Sequence, residues 1–171
     1  MTSREAYKRA ILEGPFSYTR ECASKDPWWA YCYARYVDKC PSDNTREGAC
    51  KDPEDAYLYA LYVDMCPKDL TRIVACEDPG YAYLYAREVD KYQSEYTRKS
   101  ACKDSKCALS YAKNVDKCPR EDTREAACKE PWWAYKYAIE VDGCFREDTY
   151  TVVHKSSLLI NEYNRWLLHN K

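Results

Sequence analysis

Eleven cysteines and two histidines are the residues of this chain best suited to metal or nucleophilic chemistry. Most of the cysteines fall in two columns ten residues apart: Cys40 with Cys50, Cys66 with Cys76, Cys118 with Cys128. The pattern then varies, to Tyr92 with Cys102 and to Cys144 with His154. Structural zinc sites are built from close pairs such as C-x-x-C. No such pair exists here, and Cys102 with Cys107 is the nearest approach to one. A cysteine or serine nucleophile needs a base within reach, but His154 and His169 both stand in the terminal region. There is no glycine-rich phosphate loop. The expectation is a non-enzymatic chain with no catalytic residue, no metal and no cofactor. The odd cysteine count, and a start at Met1 that lacks the apolar core of a secretory signal, point to free thiols in a reducing cytoplasm. Both cysteine columns read as small buried hydrophobes. Cys66, three residues after Val63, is expected on the buried stripe of a helix.

A second column could bind phosphate. Arg20, Arg46, Arg72, Arg98 and Arg124 each follow a threonine at a fixed interval. An arginine row of this kind would suit nucleic acid or a nucleotide. It is matched by an acidic column, Asp38, Asp64, Asp90, Asp116 and Asp142. Those aspartates come near the C-terminal end of a helix, where negative charge opposes the dipole. A ladder of Asp–Arg or Asp–Thr contacts holding the turns from each long helix to the next short one is the structural alternative. With 27 basic and 28 acidic side chains the formal charge is −1, which supplies no argument for nucleic acid or a membrane surface.

These columns are set by a repeat of 26 residues without insertion or deletion. Five copies cover residues 26–51, 52–77, 78–103, 104–129 and 130–155. Each reads as two helices. The longer, B, opens at an Asp-Pro pair such as Asp52-Pro53: the aspartate caps, and the proline suits the first helical position. Ala56, Tyr59, Ala60 and Val63 then fall at i, i+3, i+4 and i+7 and recur in all five copies, so they predict one buried face. Pro41, Pro67 and Pro119 are expected to stop helix B. A short helix A is expected from the recurring threonine at Thr45, Thr71, Thr97, Thr123 and Thr149. Two turns are too few to stand alone. Residues 1–25 carry a worn half-copy, expected to cap one end. Residues 156–171 show no repeat signature and are expected to form a capping helix, with Leu159, Tyr163, Trp166 and Leu167 on its inner stripe. The fold class is all-α: a right-handed-type α-solenoid of about five two-helix repeats, capped at both ends, in one domain.

The motif running from Ala49-Cys50-Lys51 through Ala60 resembles a short helical repeat of uncharacterised function, found in large viruses, phages and host-associated bacteria. The resemblance implies a helical-repeat fold and carries no catalytic residue. It also implies a viral or phage inhibitor of a defence complex, acting in the cytoplasm of the host cell.

Repeat proteins hold partners on extended surfaces, and scaffold positions recur whereas contact positions vary. The positions after the proline change from copy to copy: Trp28-Trp29, Glu54-Asp55, Gly80-Tyr81, Lys106-Cys107 (here after Ser105) and Trp132-Trp133. Trp is enriched in binding hot spots, with one Trp of each pair expected to pack on its helix. Tyr31, Tyr57, Tyr83 and Tyr135, two residues before the core tyrosine, form a further candidate row. The candidate partner-binding set is therefore Trp28, Trp29, Glu54, Asp55, Tyr57, Tyr81, Tyr83, Trp132, Trp133 and Tyr135. The second repeat is locally acidic and would suit a basic partner. A protein partner is the leading expectation. The alternatives are nucleic acid on the arginine row and a self-assembling scaffold, and the chain is expected as a monomer or as a homodimer through its last helix.

Overall fold

The structure is a computed structural model and describes residues 1–169. Among the described residues all regular structure is helical. The first unit, Met1–Asp90, contains α1 (Ser3–Glu13), α2 (Ser17–Ala23), α3 (Pro27–Cys32), α4 (Asp43–Ala49), α5 (Pro53–Tyr59), α6 (Asp69–Ala75) and α7 (Pro79–Leu84). The second unit, which begins at Lys91, contains α8 (Glu95–Ala101), α9 (Ser105–Tyr111), α10 (Glu121–Ala127), α11 (Pro131–Tyr137), α12 (Glu147–Val153) and α13 (Ser157–His169). Odd numbers are B helices in the sense above and even numbers are A helices. Within each unit a B helix packs against the A helices on either side of it, which is the layering of an α-solenoid of about five repeats.

The caps work as the sequence predicts. The Asp52 carboxylate accepts from the amides of Glu54 and Asp55, and Asp78 accepts likewise from Gly80 and Tyr81. Glu130, the weaker residue for this role, makes no side-chain cap bond. The paired alanines of helix B are fully buried in all five copies, which lets neighbouring helices approach closely.

Helix B does not end at its proline. In each of the five copies helix B runs on through a π-helical segment: Tyr33–Asp38, Ala60–Asp64, Tyr85–Asp90, Ala112–Asp116 and Ala138–Asp142. Its wider turns carry i→i+5 bonds, as from the Gly143 amide to the Ala138 carbonyl at 2.9 Å. In the second copy the consecutive side chains of Val63 and Asp64 are both buried, which a 3.6-residue period does not arrange on one narrow stripe. The stop is the next residue, in the left-handed region: Lys39, Met65, Lys91, Lys117 and Gly143. Only the fifth copy uses the glycine that such a stop favours. Pro41, Pro67 and Pro119 lie beyond a helix that has already closed.

That early stop corrects the cysteine reading. Cys40, Cys66, Cys118 and Cys144 are exposed, because they sit in the corner after the helix and not on its stripe. The other column is better covered: Cys76 is buried and Cys50, Cys102 and Cys128 are partly so. Burial pushes the Cys50 thiol up to about 12 and those of Cys102 and Cys128 to about 11.

Helix A starts two residues ahead of its threonine, so the threonine is not a cap. It is buried and hydrogen-bonded to the core tyrosine of the following B helix. The Oγ1–Oη distances are 2.7 Å for Thr19–Tyr33, 2.8 Å for Thr45–Tyr59 and 2.9 Å for Thr71–Tyr85 in the first unit. In the second unit both Thr97–Tyr111 and Thr123–Tyr137 lie at 2.8 Å. The same hydroxyl also accepts from a backbone amide at the start of helix A, as from Ser42 to Tyr59 at 3.1 Å. A phenol thus fills the core while its one polar atom is satisfied, which a buried hydroxyl requires.

The last helix is a sixth B helix, against the expectation that it lacks a repeat signature. Tyr163 stands 26 residues after Tyr137 and is fully buried. Among the described residues its buried hydroxyl has no hydrogen-bond partner. Leu159, Trp166 and Leu167 pack with it as the stripe predicts. The neighbouring alanine column has become Ile160 and Asn164, which hid the match. The end of that expected element, residues 170 and 171, lies outside the described residues.

Candidate functional site

The arginine column is committed to the fold. In the first unit Arg20 grips Asp38 through Nε at 2.7 Å and Nη2 at 2.8 Å. Arg46 Nη2 meets Asp64 at 2.8 Å and Arg72 Nη2 meets Asp90 at 2.9 Å. In the second unit Arg98 pairs with Asp116 at 2.9 Å and Arg124 with Asp142 at 2.8 Å. The aspartate side chains are at most 4% exposed. Each guanidinium also lies over the core tyrosine ring, 5.6 to 5.8 Å from its centroid. The ladder therefore exists, but not across the turn from B to A. It ties each helix A to the end of the next helix B, 18 residues on. As a phosphate row, Arg20, Arg46, Arg72, Arg98 and Arg124 present charge that a buried carboxylate already neutralises.

The tryptophan pairs divide. Trp28 is 48% exposed and Trp132 is 46% exposed. Trp29 packs inward, its ring 5.2 Å from that of Tyr7, and Trp133 packs against the cluster of Leu109, Ala127 and Tyr137. The inner slot is a lateral contact with the preceding B helix, where Tyr81 meets Tyr57 at 5.9 Å. Two residues of the candidate partner-binding set are therefore interior, and Tyr31 of the tyrosine row is buried as well. Tyr57 is buried in the core with Ala60 and Tyr85, and Asp55 is buried in the slot that holds Trp29 and Tyr81 in neighbouring repeats. Glu54 is exposed, and Tyr81, Tyr83 and Tyr135 are half-buried.

Beside Trp28 lies a group that the sequence reading held only through Tyr31, whose ring is itself buried. The Trp28 ring is 5.5 Å from that of Tyr31, and the Tyr31 hydroxyl accepts a hydrogen bond from Arg35. The Arg35 guanidinium lies 4.0 Å from the ring centroid of Tyr62 and 5.3 Å from that of Tyr36. Tyr36 and Tyr62 are half exposed. Two repeats further on, Arg87 covers Tyr83 at 5.0 Å and donates to its hydroxyl at 2.6 Å. These are the outward positions of helix B, and they vary between copies: Arg35, Leu61, Arg87 in one column, Tyr36, Tyr62, Glu88 in the next. The rule that picked out the tryptophan pairs would have found them.

In the second unit Trp132 lies 6.0 Å from Tyr135 and beneath the ammonium of Lys136 at 5.4 Å. Tyr135 also lines an open cavity of about 400 Å³ with Glu162, Arg165, Trp166 and His169. Among the described residues no group of three or more His, Cys, Asp or Glu is arranged to hold a metal ion. No described helix is long and apolar enough to cross a membrane. Compared with protein-family models, curated proteins and solved structures, the chain finds no match.

Proposed function

We propose that this chain is a non-enzymatic helical-repeat protein that holds a protein partner against the outward faces of its B helices. The observation that carries the reading is the Trp28–Tyr31–Arg35–Tyr62 group in the first unit. Trp, Tyr and Arg dominate the anchors of protein interfaces. Here the tyrosines hold the guanidinium in place before any partner arrives, so little side-chain freedom is left to lose on binding. The resemblance to repeats of viruses and phages supports a component of a defence complex as that partner, met in the cytoplasm. The nucleic-acid alternative is less favoured, because the arginines it needs are paired with buried aspartates.

The test is affinity capture with the parent chain, Arg35→Ala and Tyr62→Ala, each checked for an unchanged helical signal. Anchors of this kind contribute about 1 to 2 kcal/mol or more, so a partner retained by the parent is expected to bind about tenfold more weakly to either variant. A partner that binds both variants as it binds the parent removes this surface from the proposal. Binding to labelled oligonucleotides at low salt that falls steeply as salt rises would favour the alternative. Light scattering that rises with concentration would favour self-assembly.

A further inference from the structure

Asp55 is the residue of the first unit that its own neighbourhood does not explain. It is only 8% exposed, in a position that packs an aromatic ring, Trp29, Tyr81 or Trp133, in three of the other four copies. Its backbone amide donates to Asp52, but among the described residues its carboxylate makes neither a hydrogen bond nor an ion pair, and its oxygens keep a narrow access to solvent. The charged groups around it are acids. Asp52 and Glu54 share its helix, and Asp26 faces it from the preceding repeat together with the buried thiol of Cys32. Tyr81, from the next B helix, turns its phenol to Glu54. The ammonium of Lys51, the residue before the Asp52 cap, is held by the Ser24 carbonyl at 3.0 Å. A buried carboxylate among like charges is costly unless a cation or a proton joins it. Glu54 is exposed and Asp26 and Asp52 are half-buried, so the acids reach from the surface down to Asp55.

We infer that the Asp26–Asp52–Glu54–Asp55 cluster is the socket for a cationic side chain, lysine or arginine, of the protein partner. The inference rests on the partner-binding reading and supplies the partner's chemistry: a basic segment. The outer carboxylates attract the cation, and Asp55 completes its neutralisation. In the free protein a proton takes the cation's place, since burial and then the neighbouring Asp52, Glu54 and Asp26 push the Asp55 carboxyl up to about 7. Entry of the cation then releases that proton, so affinity rises with pH as the binding-competent, ionised fraction grows.

The experiment uses fluorescein-labelled hexa-arginine and hexa-lysine peptides, read by anisotropy at low ionic strength between pH 6 and 8. With a carboxyl titrating at about 7, the ionised fraction changes about tenfold across that range. The parent is expected to bind about tenfold tighter at pH 8 than at pH 6. Asp55→Asn keeps the shape of the slot and is expected to bind more weakly at pH 8 and with no such pH dependence. Asp55→Tyr, which installs the ring found at Tyr81, is expected to do the same while remaining folded. Flat pH dependence in the parent, or Asp55→Asn matching the parent at both pH values, overturns the inference. Its failure is separable from failure of the partner surface. Loss of capture in Tyr62→Ala alongside unchanged peptide binding in Asp55→Asn would leave the surface standing and discard the socket.

Discussion

Replacing Arg46 with methionine should damage this fold far more than removing a surface arginine does. The Asp64 side chain is fully buried and accepts from Arg46 Nε at 3.1 Å and from Nη2 at 2.8 Å. Arg46→Met keeps a long side chain over the Tyr59 ring, which the guanidinium now covers at 5.7 Å, but leaves that carboxylate without its counter-charge. Breaking a buried pair from one side costs about 3 to 5 kcal/mol. For a chain of this size that corresponds to a fall in Tm of roughly 6 to 20 °C. The second contact of Arg46, to Asp43 at 2.6 Å, is with a carboxylate 92% exposed. It accounts for at most about 1 kcal/mol, because solvent screens it. Adding Asp64→Leu removes the stranded charge, and an apolar pair of similar volume is often close to neutral. The double variant should therefore be more stable than Arg46→Met alone, and the coupling energy should be about 2 to 4 kcal/mol. Urea denaturation of the parent, both single variants and the double, followed by circular dichroism, measures it. An Arg46→Met cost below about 1 kcal/mol, or a double variant as unstable as the two singles added together, would refute the ladder as a stabilising device.

Gly48→Ala should destabilise, although glycine to alanine inside a helix ordinarily gains about 0.5 to 1 kcal/mol. A Cβ there would stand 2.6 Å from the Ser24 carbonyl oxygen and 2.8 Å from Ala30 Cβ, and a rise in Tm would contradict this packing. Asp55→Asn should stabilise the chain at pH 8. The folded carboxyl holds its proton to about 7, above the ordinary carboxylate range. The folded parent therefore binds more protons than the unfolded chain between about pH 4 and 7 and loses stability as pH rises through that window, by at most about 1.4 kcal/mol per unit. The variant's advantage should disappear near pH 4, and an advantage independent of pH would count against a buried acid. Maleimide labelling of the native chain should reach Cys40, Cys66, Cys118 and Cys144 well before Cys50, Cys102 and Cys128, whose burial raises their thiols to about 11 or 12. Peptide mapping that finds both columns labelled at one rate would show that the corners are not open.

Much of the scaffold was legible because repetition separates fold from function. Ala56, Tyr59, Ala60 and Val63 could be placed on one face from spacing alone, and the Asp–Pro caps followed from backbone chemistry. The pairing of the Asp64 and Arg46 columns could be anticipated from the helix dipole, though not which helices it joins. The candidate site was harder to read. Trp28 and Trp29 are identical in type and adjacent, and only packing shows that one faces solvent and the other meets Tyr7. Asp55 looked like surface because charged residues seldom lie inside.

The sequence by itself determined the repeat, its length, the helical class, the caps and the alanine–tyrosine core, since each depends on neighbours a few residues apart or on strict periodicity. Only the tertiary structure decided where helix B stops, which cysteines are open, which tyrosines gather round Arg35 and that Asp55 is enclosed by acids. Those outcomes depend on groups that meet across layers, 18 to 27 residues apart, as in the pairs Arg46–Asp64 and Lys51–Ser24. A local pattern carries no distance between such groups, and the distance determines whether a charge is free, paired or buried.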